Sequence, residues 1–181
     1  SNYGKYVVLS HDLGGMPVYS LYAHLRSIEV DMAEGNTVNA GEVIGVMGRT
    51  ANTRSEIAQW RAHLHFEIGV QINSRFNQWF STWFKGGRNH HGNWNGLNLL
   101  GMDAAQILKL NFKEQFSLDQ YLKSLPVLCT VTVFQEKVDW INRYPELIDD
   151  RKKSKDAPTA WDLDLNYNGI PVRIAPRQSK V

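Results

Sequence analysis

The sequence has 181 residues, of which 43% are hydrophobic and 21% are charged, a globular composition that excludes disordered and fibrous classes. The 20 basic and 18 acidic side chains leave a net charge of +2 with no basic stripe, so a nucleic-acid partner is not expected. No apolar run reaches the roughly 20 residues that span a membrane, and no membrane span is predicted.

The first 70 residues predict β structure. Residues 5–11 and 18–25 have strand composition, and Gly14-Gly15 between them predicts a hairpin or a slightly longer connection. Another strand is predicted over residues 43–47, with turns on both sides of Val38. Residues 62–69 then alternate between apolar and ionisable side chains. In a strand this alternation predicts that one set faces a core and that the other set lies together on the opposite face. The core set is Leu64, Phe66 and Ile68, and the opposite set is His63, His65 and Glu67.

A helical pattern follows. Phe76, Trp79, Phe80, Trp83 and Phe84 fall at helical spacing, and Gly86-Gly87 should end the helix. We expect this aromatic stripe to dock the helix on the sheet, with a ligand platform as the alternative.

The rest of the chain mixes helices and strands. The predicted elements are a Gly/Asn-rich loop over 86–101, capped helices opening at Asp103 and Ser117, a strand over 127–134, a helix over 136–143 and a hairpin over 161–174. Pro171 suits an edge strand. The one cysteine, Cys129, lies in an apolar run and is expected to be a buried structural thiol.

The informative chemistry is His63-x-His65 on a strand. Spacing by two residues puts both imidazoles on one face, where one ring can ligate a metal while its neighbour handles protons. Glu67 extends the row and is placed to orient a ring. His24, with Tyr22 and Ser20 on its strand face, ends a strand where it can reach a cleft.

Four segments together resemble the lysostaphin/LytM-type zinc metallopeptidase family. They are GKYVVLSH at 4–11, YSLYAHL at 19–25, VNAGEVIGVMG at 38–48 and AHLHFEI at 62–68. The resemblance covers about residues 3–70, with a weaker echo at Gly101-Met-Asp103. It implies a groove-shaped antiparallel β-sheet domain, which we assign to residues 1–110. The predicted elements of residues 111–181 form a small α/β C-terminal appendage with no counterpart in that family, so the expected class is a mainly β fold with added helices (β+α).

The resemblance also implies an activity and its residues. The expected function is a Zn²⁺-dependent endopeptidase that cuts peptide cross-links of bacterial peptidoglycan in the periplasm or outside the cell. His65 corresponds to a zinc ligand, and His24 and His63 to the pair that activates the metal-bound water and stabilises the transition state. Tyr22, Glu67, Asn52, His90 and His91 are further candidates for contacts to these rings or to substrate.

The sequence departs from the family in one respect. The upstream H-x-x-x-D motif, which carries the other two zinc ligands, has no counterpart, because no histidine here is followed four positions later by aspartate. One explanation is that the sequence is an incomplete piece whose missing segment carries those ligands. The other is a degenerate relative that binds the cell wall or activates a partner hydrolase. Whether this chain alone is active stays open, and the appendage is a candidate surface for a protein partner.

Overall fold

The structure is a computed structural model that describes residues 3–29, 33–53, 55–112, 116–149 and 157–178. Within these ranges, the strands are β1 (Lys5–Leu13), β2 (Met16–Ile28), β3 (Gly45–Met47), β4 (His65–Gln71), β5 (Leu99–Gly101), β6 (Cys129–Val133), β7 (Ala160–Leu165) and β8 (Pro171–Arg177). The helices are α1 (Phe76–Trp83), α2 (Ala104–Phe112), α3 (Leu118–Ser124) and α4 (Asp139–Arg143).

The strands form two sheets. One has the order β1-β2-β4-β5 with β3 paired to β2, and the other has the order β6-β7-β8. The pairs β2/β3, β4/β5, β6/β7 and β7/β8 are all antiparallel. The predicted class, a mainly β fold with added helices, is therefore confirmed.

The chain divides into two compact units. The first unit is Ser1–His11 with Tyr19–Ile68, and the second unit is Asp12–Val18 with Gly69–Val181. The boundary expected after residue 110 stays a prediction.

The turn between β1 and β2 shows why the predicted hairpin forms. Gly14 and Gly15 have φ of 67° and 89°, values that only glycine adopts without strain. The Gly15 amide also donates a hydrogen bond of 2.6 Å to the Asp12 carboxylate. Two positive φ values in succession match the turn that suits the twist of paired strands, so the hairpin is confirmed.

Each unit has its own apolar interior. In the first unit, β2 buries the apolar side chains of Tyr19, Leu21, Ala23 and Leu25 at alternate positions. Ser20 and His24, which lie between them, are buried as well. In the second unit, the buried side chains come from α3, α4, β8 and the segments next to them: Leu118, Tyr121, Leu122, Trp140, Ile141, Tyr144, Leu147, Val172 and Ile174. Burying such side chains stabilises a domain by about 1.5–3 kcal/mol each.

Polar contacts tie α4 to the end of β4 within the second unit. Arg143 donates to Asp139 at 3.0 Å and to the backbone oxygens of Gln71 and Ile72, both at 2.5 Å. Tyr144 donates to the Pro17 oxygen at 2.5 Å, and burial raises the pKa of Tyr144 to about 12. These bonds satisfy backbone oxygens that β-sheet pairing leaves without donors.

Helix starts and the C-terminal hairpin largely follow the sequence. The Gln106 amide donates to Asp103 at 2.9 Å, as expected for a helix cap, and α2 begins there. Helix α3 forms too, but the Ser117 hydroxyl bonds the Asp119 carboxylate and makes no cap bond. The hairpin of β7 and β8 is confirmed, with Pro171 in an edge strand of its sheet.

Three predictions about burial are wrong. Helix α1 forms, but Phe76 is its buried residue, while Trp79, Trp83 and Phe84 are exposed and do not dock the helix. Cys129 is exposed because it opens a strand at the edge of its sheet. Leu64 is exposed because β4 begins only at His65, so Leu64 precedes the alternating part of the strand.

None of the described helices is long and apolar enough to cross a membrane.

Candidate active site

A cavity of about 460 Å³ in the first unit gathers the histidines that the sequence singles out. His24, His63 and His65 all line it. The ring centroid of His24 lies 4.9 Å from that of His63 and 5.7 Å from that of His65. Tyr3 and residues of the 51–61 loop line the cavity as well. Three imidazoles therefore face one space of substrate size.

His24 is held in place by an unusual backbone. Its φ is 62°, the one positive value outside glycine among the described residues. Its amide donates to the Tyr3 oxygen at 2.9 Å, and its Nδ1 lies 2.8 Å from the Thr50 oxygen. Since a carbonyl oxygen only accepts, Nδ1 carries the proton and Nε2 keeps its lone pair. Strained backbone of this kind persists where the surroundings over-determine it, and it is common at functional sites.

This backbone gives a testable stability pattern. A left-handed residue with a side chain costs about 1–2 kcal/mol relative to glycine. We therefore expect His24→Gly to be more stable than His24→Ala by about 1 kcal/mol in urea unfolding. Ala23, next to it with ordinary strand backbone, is the control: Ala23→Gly should lower stability by about 0.5–1 kcal/mol. A His24→Ala protein as stable as His24→Gly would show that the strain is absent.

His63 and His65 have complementary proton arrangements. The exposed His63 ring donates from Nδ1 to the Arg61 oxygen at 2.7 Å, which leaves its Nε2 as a proton acceptor. His65 places Nε2 2.8 Å from the Glu67 carboxylate. The carboxylate accepts, so the His65 proton sits on Nε2 and Nδ1 keeps its lone pair.

Glu67 lies at the centre of a small hydrogen-bond network. Besides bonding His65, it accepts from the Tyr3 hydroxyl at 2.5 Å and from the Tyr19 hydroxyl at 3.5 Å. Burial, and then the Glu67 carboxylate, raise the pKa of Tyr3 and of Tyr19 above their ordinary values. Both phenols therefore stay protonated donors at neutral pH, which fixes the carboxylate and, through it, the His65 ring.

The residues at the cavity provide one ligand for zinc, and they do not provide a complete set of ligands. A carboxylate on one ring nitrogen with the other nitrogen free is the usual arrangement of a metal-bound histidine, and His65 has it. Catalytic zinc takes three protein ligands. Across the described part of the chain, no group of three or more His, Cys, Asp and Glu is arranged to hold a metal ion.

The other predicted residues lie elsewhere. Tyr22 lines a second cavity of the first unit, about 490 Å³ in volume, together with His11. The left-handed backbone at His24 interrupts the alternation that predicted a shared face for Tyr22 and His24. Asn52 is exposed in the loop, and His90 and His91 are exposed in a loop of the second unit. Their suggested roles stay predictions.

Sequence reasoning missed three residues of this site, namely Tyr3, Tyr19 and Thr50. Tyr3 and Glu67 are 64 positions apart, and neither local spacing nor a motif links them. Thr50 acts through its backbone oxygen, which any residue provides. Of the three, only Tyr19 could have been found from the sequence. It belongs to the apolar, odd-numbered positions of β2, which predicts that the side chain is buried and that its hydroxyl needs an acceptor.

A family comparison covers this site. Residues 1–77 match the model of peptidase family M23, and this segment holds every histidine of the cavity. The match supports a relationship between residues 1–77 and the LytM-type M23 peptidases. Peptidases of this family are generally zinc-dependent. No match to a curated protein or to a solved structure was found.

Proposed function

We propose that this chain carries the histidine part of the active site of a metallo-endopeptidase that hydrolyses peptide cross-links in bacterial peptidoglycan. The observation that carries the proposal is the convergence of His24, His63 and His65 on one cavity within the family-matched segment. The proposed location is the periplasm or the outside of the cell, where that substrate is.

The two proton-handling roles go to His24 and His63. Each ring has Nδ1 engaged with a backbone oxygen, so each offers Nε2 for proton exchange. Peptide hydrolysis needs a group that accepts a proton from the attacking water and a group that protonates the leaving amine. His63 is exposed and can contact water and substrate directly. His24 is buried and fixed, and once its Nε2 has taken up a proton it can donate a hydrogen bond to the developing oxyanion.

His65 is the proposed metal ligand. When bound, zinc supplies a Lewis acid and a water molecule of lowered pKa. Two further protein ligands would have to come from outside the described residues, because those residues form no three-ligand group. The proposal therefore predicts that His65 is necessary for zinc binding and that it is not sufficient.

The orienting role of Glu67 can be measured without activity. We expect Glu67→Gln to weaken zinc binding about 10–100-fold in competition with a chromophoric chelator, because the amide holds the His65 proton less strongly. Glu42→Gln, an exposed carboxylate bonded only to Asn39, is the matched control and should leave affinity unchanged. Unchanged zinc affinity in Glu67→Gln would show that Glu67 does not orient the His65 ring for metal binding. If these 181 residues alone bind no zinc, the same measurement is made on a form of the protein that includes additional residues.

The alternative is a LytM-like module without catalysis, which binds the cell wall or activates a partner hydrolase. The absence of a three-ligand group among the described residues favours it. A direct test is cleavage of short cross-link peptides rich in small residues. The enzyme should cleave them and stop on addition of a zinc chelator. Binding to cell walls with no peptide cleaved, with or without added zinc, would support the module.

Residues 111–181 keep their proposed role as a surface for specificity or a partner. This proposal is independent of the histidine cavity, since the residues that line the cavity all belong to the first unit.

A further inference from the structure

A cleft in the second unit has the chemistry of a binding site and is unrelated to the histidines. Its volume is about 540 Å³, and we call it the indole cleft. Helix α1, the segment 135–138, α4 and β8 all line it. The side chains used below are Arg75, Gln78, Trp79, Trp83, Gln135 and Lys137.

Two aromatic side chains of the indole cleft are exposed, although Trp79 also contacts Phe76 and Phe84, with ring centroids 5.2 and 5.5 Å apart. Trp79 is 41% exposed and Trp83 is 70% exposed, and both lie on one face of α1, four residues apart. Exposing two indoles in this way forfeits the stabilisation that burial of a large apolar side chain provides. Such side chains normally mark a place where something binds.

A third indole contributes to the wall of the cleft. Trp140 lines the cleft, is only 4% exposed, and packs against Tyr144 with ring centroids 4.1 Å apart. Its indole nitrogen has no hydrogen-bond partner among the described residues and almost no exposed surface, so the ring contributes apolar surface to the cleft and no hydrogen bond.

The rim adds amides and positive charge. Gln78 and Gln135 offer donors and acceptors, and Arg75 and Lys137 form no ion pair with any described residue. The one carboxylate lining the cleft, Asp139, is already bonded to Arg143 and Ser74. The charge left for a ligand is therefore positive.

The walls of the cleft are fixed in advance. The Ser74 amide and hydroxyl donate to Asp139 at 3.0 and 2.5 Å, which links the residues before α1 to the start of α4. Arg143 extends this link to the end of β4, as described above. A preformed cleft loses little conformational freedom on binding.

From this set we propose that the indole cleft binds an acidic glycan, a chain of pyranose rings that carries carboxylates. Indole faces pack on the apolar C–H faces of sugar rings, the amides hydrogen-bond hydroxyl and acetamido groups, and the two cations pair with the carboxylates. The inference goes beyond the proposed hydrolysis, because this binding needs neither the histidines nor zinc.

The test is calorimetric titration of the full chain with three probes. They are peptide-free peptidoglycan glycan strands, which carry lactyl carboxylates, a neutral N-acetylglucosamine tetramer, and maltotetraose. The expected order of affinity is acidic strand, then neutral tetramer, then maltotetraose, with the first weakened by salt. Trp83→Ala should weaken binding of the acidic strand about tenfold or more. Lys137→Gln should remove the preference for the acidic strand over the neutral tetramer.

Matched controls separate the cleft from the general surface. Tyr167→Ala removes an aromatic ring that is 87% exposed in the same unit and outside the cleft. Lys85→Gln removes an exposed cation that does not line the cleft. Both should bind the acidic strand like the unchanged protein. His63→Ala should also bind it fully, which separates this inference from failure of the proposed hydrolysis.

Several outcomes would overturn the inference. They are no binding of any glycan probe, binding that Trp83→Ala and Trp79→Ala leave unchanged, and equal affinity for the acidic and the neutral probe. Capture of a protein through the cleft in place of a glycan would also overturn it.

Discussion

Replacing His63 by alanine is expected to lower kcat/KM for hydrolysis of a cross-link peptide by roughly 10²–10⁴-fold, the usual contribution of a positioned acid or base. The ring lines the cavity beside His24, with Nε2 free for proton exchange. Because His63 is exposed and lies outside β4, the variant should unfold at the same urea concentration as the unchanged protein. The measurement pairs steady-state kinetics with urea unfolding on the same preparations.

Chemical rescue distinguishes a proton-transfer role from a structural one. Added imidazole can enter an exposed position, so it should restore part of the His63→Ala activity and do nothing for the unchanged protein. A His63→Ala enzyme with undiminished kcat/KM would contradict the assignment. A loss of activity accompanied by lower stability and no rescue would mean that His63 supports the fold of the cavity.

A second large effect is expected at Gly48, where alanine should destabilise the protein by about 2–3 kcal/mol. A Cβ at this position would lie 2.6 Å from the Arg26 amide nitrogen and 2.8 Å from its Cα. Both of those atoms belong to the backbone of β2, which cannot move without disturbing the strand. Because Thr50, two residues on, holds the His24 ring through its oxygen, activity should fall as well. Urea unfolding and kinetics measure the two effects.

Gly96 provides the control for that substitution. Its Cβ position has no atom within 4 Å and its φ is not positive, so Gly96→Ala should change the free energy of unfolding by no more than about 0.5 kcal/mol. Equal stability of the two alanine variants would show that Gly48 does not lie in close contact with the Arg26 backbone of β2.

The sequence anticipated elements that depend on local periodicity. Strand composition and the Gly14-Gly15 turn predicted the two N-terminal strands, and alternation predicted the strand after residue 62. Strand β4 nevertheless starts at His65, so His63 and Leu64 lie ahead of it. The 3.6-residue spacing of aromatics predicted α1 to within a residue or two. In the same way, the His63-x-His65 spacing indicated two rings beside one space, and both line one cavity.

What the sequence could not supply depends on tertiary contacts. Two hydrogen bonds hold the left-handed backbone of His24: its amide donates to the Tyr3 oxygen and its ring donates to the Thr50 oxygen. Tyr3 lies 21 residues before His24 and Thr50 lies 26 residues after it. Periodicity also gives the faces of a helix without saying whether a partner surface exists, which is why the stripe on α1 was wrongly expected to be buried. The same reasoning failed for Cys129, whose apolar neighbours lie in a strand at a sheet edge.

The most direct test of the account is release of free amino groups from purified, cross-linked peptidoglycan by a form of the protein that binds zinc, measured with zinc present and again after adding a chelator. The account predicts that amines appear with time, that the chelator stops their release, and that His63→Ala releases almost none. Sedimentation of the protein with the cell wall, with no amine released under any of these conditions, would contradict it and leave the wall-binding module as the function.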